Sequence, residues 1–260
     1  MSSRFIFSSV ALLALAIPSH AENKKAEPKK EEKPTLEKLV GQASAFEELG
    51  NYSSAAEVLE KAIKLYPKAP NGILRHTGEL RFFAGDIDAS IAHFDELINR
   101  SPDTAPYLWQ RGLSLYYAER YEDGVKQFEI HQDVNPNDVE NAAWHFICVT
   151  RAEGFEEARK RLIPIKGDSR IPMAEIHDLF EGEGTPEEVL KSANREGFGE
   201  RGLRNHLCYA HLYLALYFEA KGDDKKAMEH SKLAAVDYRM DHYMGICAQV
   251  HYKLRSKEKE

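Results

Sequence analysis

The sequence predicts an all-α fold: a right-handed superhelical solenoid of helix-turn-helix repeats, three regular and two degenerate, closed by a C-terminal capping helix. Three observations predict it. Pro67, Pro102 and Pro136 stand 35 and 34 residues apart, and Leu59, Phe94 and Phe128 keep the same two intervals. The small residues Ala55, Ser90 and Gly124 follow the same spacing, as do Tyr52, Ile87 and Tyr121. No segment reads convincingly as a strand. A period near 34 marks stacked helix pairs, each unable to bury its apolar face alone.

The N-terminus has the three parts of a secretory signal over residues 1–21. Arg4 supplies a positive start, Phe5 to Ile17 is an apolar run of 13 residues, and Ser19 and Ala21 put small side chains at the cleavage positions. That run is shorter than the roughly 20 residues needed to span a bilayer. The expectation is an exported, soluble chain, periplasmic or secreted, with no transmembrane segment after cleavage. Residues 22–34, ENKKAEPKKEEKP, lack any large apolar side chain and read as a disordered charged linker.

The solenoid is expected over 35–255. Its regular repeats fall near 36–69, 71–104 and 105–138. Leu49-Gly50-Asn51 and Ala84-Gly85-Asp86 read as turns, with Gly ending one helix and Asn or Asp starting the next. Gly78 and Gly112 should let the first helix of a pair approach its partner, and Phe94 and Phe128 should fill the space between repeats. Pro67, Pro102 and Pro136 should end the second helices. A degenerate repeat follows over 139–170, with Gly154 at its turn, Ala158 and Leu162 on its second helix, and Pro164 placed to kink that helix. Residues 171–204 form an irregular helical insert punctuated by Gly and Pro, in which Thr185 and Pro186 open one helix. A second degenerate repeat covers 208–240, with Ser231 where Phe94 and Phe128 stood, and a cap covers 241–255.

Composition excludes several functions. The chain carries 35 basic and 42 acidic side chains, a net charge of -7, against the clustered positive charge that nucleic acids reward. No paired histidines of helical metal-site spacing, no Gly-rich phosphate loop, no G-x-S-x-G elbow and no C-x-x-C occur, so no catalytic residues, metal or cofactor are expected. His76 and Glu79, three apart on one helix face, are the weak exception as an acid–base pair. Cys148, Cys208 and Cys247 read as small buried hydrophobes, with Cys208 and Cys247 the better placed pair if any bridge forms.

These repeats resemble the tetratricopeptide-repeat (TPR) family. That resemblance implies that particular positions of each first helix line a concave groove. In the second repeat they are Arg75, His76, Glu79, Phe82 and Phe83; in the third, Trp109, Gln110, Leu113, Tyr116 and Tyr117; in the fourth, Trp144, Ile147, Thr150 and Arg151. Six are aromatic and include both tryptophans of the chain. Such a groove suits a protein or peptide partner, either a helix or a chain terminus held by Arg75, Arg111 or Arg151. It is equally suited to being filled by the chain itself, through 167–204 or the C-terminal helix, or by a second copy.

A narrower resemblance runs through Arg111 to Tyr117 (RGLSLYY), the Ile176-His177-Asp178-Leu179-Phe180 segment, Thr185-Pro186-Glu187, Ala220-Lys221-Gly222-Asp223 and Lys232-Leu233-Ala234. These strings, in this order, are similar to the family of periplasmic lipoprotein adaptors typified by NlpI. The resemblance implies a homodimeric envelope scaffold that serves a protease or cell-wall hydrolases. That family is acylated on a Cys after its signal; this chain has no Cys there.

Overall fold

A computed structural model of the chain describes residues 33–257. The signal-peptide expectation (1–21) and the linker up to residue 32 lie outside the described residues. Pro34, the last linker residue, is tied down: its carbonyl accepts a hydrogen bond from the Tyr66 hydroxyl at 2.8 Å.

The fold is a solenoid of paired antiparallel helices with a capping helix, and no strand occurs among the described residues. The first pair is α1 (Leu36–Glu48) and α2 (Tyr52–Leu65), the second α3 (Asn71–Ala84) and α4 (Ile87–Arg100). The third is α5 (Trp109–Tyr117) with α6 (Tyr121–Gln132), the fourth α7 (Val139–Glu153) with a short α8 (Phe155–Lys160). Then come α9 (Met173–Glu181), α10 (Pro186–Ala193), α11 (Gly199–Ala220), α12 (Asp224–Lys232) and α13 (Tyr243–Lys257).

Local chemistry explains the boundaries. Thr35 caps α1 by accepting from the Lys38 N–H, and Asn51 does the same for α2 from Ser54. Thr185 and Glu188 form a reciprocal capping box at α10, with Pro186 in its first turn. The turn of the third pair departs from the pattern: Glu119 takes the left-handed conformation, φ 58°, that glycine holds at Gly50, Gly85 and Gly222. The expected close approaches are present. A Cβ on Gly112 would lie 2.5 Å from the Phe128 ring, and one on Gly78 would lie 3.0 Å from Phe94. The second helices therefore lie against the first at glycine-backbone distance.

Three elements differ from the sequence-based expectation. A 3-10 turn, Pro102–Tyr107, takes up the start of the third repeat, so α5 opens at Trp109 rather than near 105. Instead of kinking at Pro164, α8 ends at Lys160; the residue before a proline is disfavoured in helical conformation, and Gly167 follows closely. Finally, α11 begins at Gly199, through Gly202 and well before 208, because packing against α10 and α9 outweighs the low helix propensity of glycine.

Neighbours in sequence are neighbours in space from α1 to α8. That order then breaks. Helix α11 packs on α7 and α9, and α13 reaches back to α3 while touching α11 and α12. The largest core cluster accordingly runs from Phe82 to Val250. No helix among the described residues is long and apolar enough to cross a membrane.

Candidate functional site

Side chains of α3, α5 and α7 named from the sequence, Phe82, Leu113, Tyr116 and Trp144 among them, pack into one cluster beneath α13. Phe82, Leu113, Tyr116 and Trp144 are 0–2% exposed. Phe83, Trp109 and Tyr117 are half-buried against the same cluster. Arg75 and Arg151 stand at the edge: Arg75 pairs with Glu79 at 3.2 Å, and exposed Arg151 lies over the Tyr121 ring at 5.4 Å. Arg111 is held by Asp95 at 2.7 Å. The groove arginines visible in the sequence thus have partners within the fold.

Helix α13 contacts the groove through a stripe repeating every four residues: Tyr243, Cys247, His251 and Arg255. Four-residue spacing keeps side chains on one helix face. Tyr243 meets Phe83 at 4.8 Å and Trp109 at 4.7 Å, both edge-on, and stacks parallel to Phe82 at 6.3 Å. The Tyr117 hydroxyl and His251 Nδ1 lie 3.0 Å apart. The Arg255 guanidinium lies over the rings of Tyr116 and Tyr117 at 5.5 and 5.6 Å. At the helix edge, Lys253 Nζ donates to the Ala84 carbonyl at 3.1 Å, reaching the last orphan acceptors of α3.

A buried charge centre fastens the end of this contact. Glu219 of α11 accepts from the Tyr116 hydroxyl at 2.7 Å and pairs with Arg255 at 2.8 Å and His251 at 3.4 Å. Burial alone would push its carboxyl up; His251, Arg255 and the Tyr116 hydrogen bond outweigh that and hold it below the usual carboxylate range. Burial likewise opposes the Arg255 charge and is overcome by Tyr116, Glu219 and Tyr117, so the guanidinium stays charged. Tyr116 and Tyr117 are pushed far up, first by burial, and stay neutral.

The other candidate chemistry is accounted for by packing. His76 and Glu79 lie 3.5 Å apart, but His76 also bonds Glu47 at 2.9 Å, and Glu79 holds Arg75 and Gln110. The hydrogen bond that His76 donates to Glu79 leads the causes that raise the His76 pKa. Cys148, Cys208 and Cys247 are buried and free; burial pushes the Cys208 thiol up to about 12. His177, Asp178 and Glu181 bring three possible ligand atoms within 4.8 Å, but one ring nitrogen of His177 is engaged by the Ile163 carbonyl at 3.0 Å.

Sequence reasoning missed Glu219, His251 and Arg255. For His251 and Arg255 the signal was the four-residue stripe of α13, polar enough to read as a capping face; Glu219 lies on α11, outside that stripe. It missed Arg170 as well, the hub of a cluster that binds Asp138, Glu140 and Asp168 around the start of α7.

Comparison with known proteins bears on the repeats. Residues 40–105 match the family model described as "Tetratricopeptide repeat". This stretch is made of tetratricopeptide repeats. Solved structures with a similar helical arrangement include MamA (residue 41 to its end) from Desulfovibrio magneticus RS-1, 14% identical, covering 76% of this chain and 92% of that one, TM-score 0.47. A tetratricopeptide repeat protein from Parabacteroides merdae is 14% identical over 85% of this chain and 89% of its own, TM-score 0.46. The thermophilic TPR protein TTC0263 of Thermus thermophilus is 14% identical over 86% and 100%, TM-score 0.44. At these values nothing about function follows from the likenesses.

Proposed function

We propose that this chain is a non-catalytic, protein-binding scaffold whose aromatic groove takes an amphipathic helix, with α13 as its resident occupant. The observation that carries this is the seating of Tyr243, His251 and Arg255 on Phe82, Trp109, Tyr117 and Tyr116. A groove that already holds one helix by aromatic edges and a buried Arg–Glu pair displays the chemistry by which it would hold another. A partner would present an aromatic residue followed at eight and twelve positions by hydrogen-bonding and cationic side chains, and it would exchange with α13. The signal-like residues 1–21 and the NlpI-like strings support an exported, envelope setting. There the partner would be a protease or cell-wall hydrolase, and the scaffold would act as a homodimer.

A second reading follows from the buried Glu219–Arg255–His251 centre: the groove is permanently filled, and the chain is a structural assembly subunit. One experiment separates the two. Affinity capture from an envelope extract is run with the whole chain and with Tyr243→Ala/Arg255→Ala, which loosens α13. The exchange reading expects a partner enriched by the loosened variant and weak or missing with the parent chain. Equal enrichment by both would place the binding surface outside the groove. Enrichment by neither, with helicity preserved, would leave the assembly-subunit reading.

A further inference from the structure

Beside the α13 seat lies a second space. The start of α13 and the middle of α11 face α5, α6 and α7 across a cavity of about 230 Å³, partly open to solvent. Trp109, Trp144, Tyr209, His242 and Tyr243 wall it. The walls brace one another: Tyr209 stacks on His242 at 5.1 Å, and Trp109 meets Tyr243 edge-on at 4.7 Å. Small-molecule sites run to roughly 300–1,000 Å³, so this one is sized for a single residue or a comparable group.

Two independent features define what fits. The first is charge. Asp138 and Glu140 line the cavity, and with Asp168 they converge on the single guanidinium of Arg170. Three carboxylates against one cation leave the cluster negative. Burial, together with the Asp138 charge, outweighs Arg170 and the Tyr213 hydrogen bond and pushes the Glu140 carboxyl up to about 7.

The second feature is hydrogen bonding. Four lining residues carry polar atoms with no partner among the described residues and almost no open surface, which a ligand meets only as the walls part slightly: Trp144 Nε1, Asn141 Oδ1, His242 Nε2 and the Tyr243 hydroxyl. Trp144 and Asn141 are only 2% and 3% exposed, where an unmet hydrogen bond is most costly. The indole can only donate. His242 Nδ1 accepts from the Gly245 N–H at 3.1 Å, so Nε2 holds the proton of the neutral ring and also donates. Asn141 uses its amide N–H groups on the Phe128 carbonyl and Gln132, which leaves an acceptor.

We propose that this cavity binds the amino terminus of a peptide chain. An α-ammonium answers the excess negative charge and the free Asn141 oxygen, and aromatic faces favour a cation between them. The adjacent carbonyl supplies the acceptor that the indole and imidazole N–H groups lack. A lysine or arginine side chain brings the charge but no acceptor. A carboxylate terminus brings acceptors but adds to a charge already in excess. The assignment rests on the peptide-binding reading above and concerns the chain with α13 in place.

Both tryptophans of the chain line the cavity, so intrinsic fluorescence reports its occupancy. The full chain is titrated with leucinamide, N-acetyl-leucinamide, N-acetyl-lysine methylamide, and one tripeptide with a free or acetylated amino terminus. The expected result is a saturable change with leucinamide and the free tripeptide, weakened about tenfold or more by acetylation. Asp138→Asn removes a charge yet keeps a good helix-capping side chain; it and Glu140→Gln are each expected to weaken amine binding about tenfold, with melting temperature as the fold control. No response, or equal response to free and acetylated ligands, overturns the proposal. Unchanged affinity in both variants overturns it too. N-acetyl-lysine methylamide binding as well as leucinamide would make this a side-chain site. Leucinamide binding without the tripeptide would make it a site for small free amines. None of these readouts needs α13 to leave, so failure here and failure of the capture experiment are distinguishable.

Discussion

At Gly112 the missing side chain sets the distance between α5 and α6, because the Phe128 ring occupies the place a Cβ would take. Gly112→Ala is therefore expected to destabilise the chain by about 1–3 kcal/mol, the usual cost of overpacking a core, measured as a lowered urea midpoint. Glu140 poses a different residue-scale question. Its folded pKa of about 7 lies above the ordinary 4.5, so the folded state holds a proton that the unfolded chain has released. Stability should then fall as pH rises from about 4.5 to about 7 and stay low above that window. Glu140→Gln should remove this slope and raise stability at pH 8 by on the order of 2–3 kcal/mol; melting curves across pH check it, and an unchanged slope contradicts it. Such devices differ in how far the sequence reveals them. Gly112 and Phe128 sit at fixed places in a period of 34, so their pairing is readable from spacing. Glu140 acquires its character from burial, which outweighs Arg170 and Tyr213, distant partners that no local pattern announces.

At the scale of elements, α13 is the informative one. Its sequence reads as an amphipathic cap, and the chance that it fills the groove is visible as one of several occupants. Choosing among them takes contacts more than a hundred residues apart: Tyr117 with His251, Tyr116 with Glu219, and Lys253 with Ala84. The repeat helices were legible because capping residues, glycine turns and closing prolines act within a few positions. The late start of α5 and the early start of α11 were not, since a 3-10 turn and tertiary packing decided them. The residues named for the groove sit in one core cluster, while their cover comes from elsewhere in the chain. Arg255→Met tests how firmly the cover is held. Leaving the buried Glu219 carboxylate with one partner fewer should cost about 3 kcal/mol, and Arg255→Met/Glu219→Gln should recover most of it. Because the Glu219 pKa is lowered in the folded state, its contribution is present above 4.5 and lost as pH falls through the folded value. The parent chain should lose more stability on acidification than the double variant, as melting temperatures at pH 7 and pH 3.5 would show.

For the molecule as a whole, a repeat array normally depends on nearest neighbours, so folding and stability are local sums. Here α13 joins the second repeat to the last, and α11 joins the fourth to the end, which couples distant repeats into one core. That coupling explains how an aromatic surface as large as this groove can sit in one chain without standing open to solvent. On the proposed function, a partner helix would gain the groove only as α13 gives it up. The most direct measurement is amide hydrogen exchange on the intact chain, read peptide by peptide by mass spectrometry. Amides of α13 between residues 247 and 254 are expected to be protected as strongly as those of α5 and α7, and to lose protection together in Tyr243→Ala/Arg255→Ala while α5 and α7 keep theirs. Exchange of α13 within seconds in the parent chain, as for a free terminal helix, would contradict a groove occupied by its own C-terminal helix.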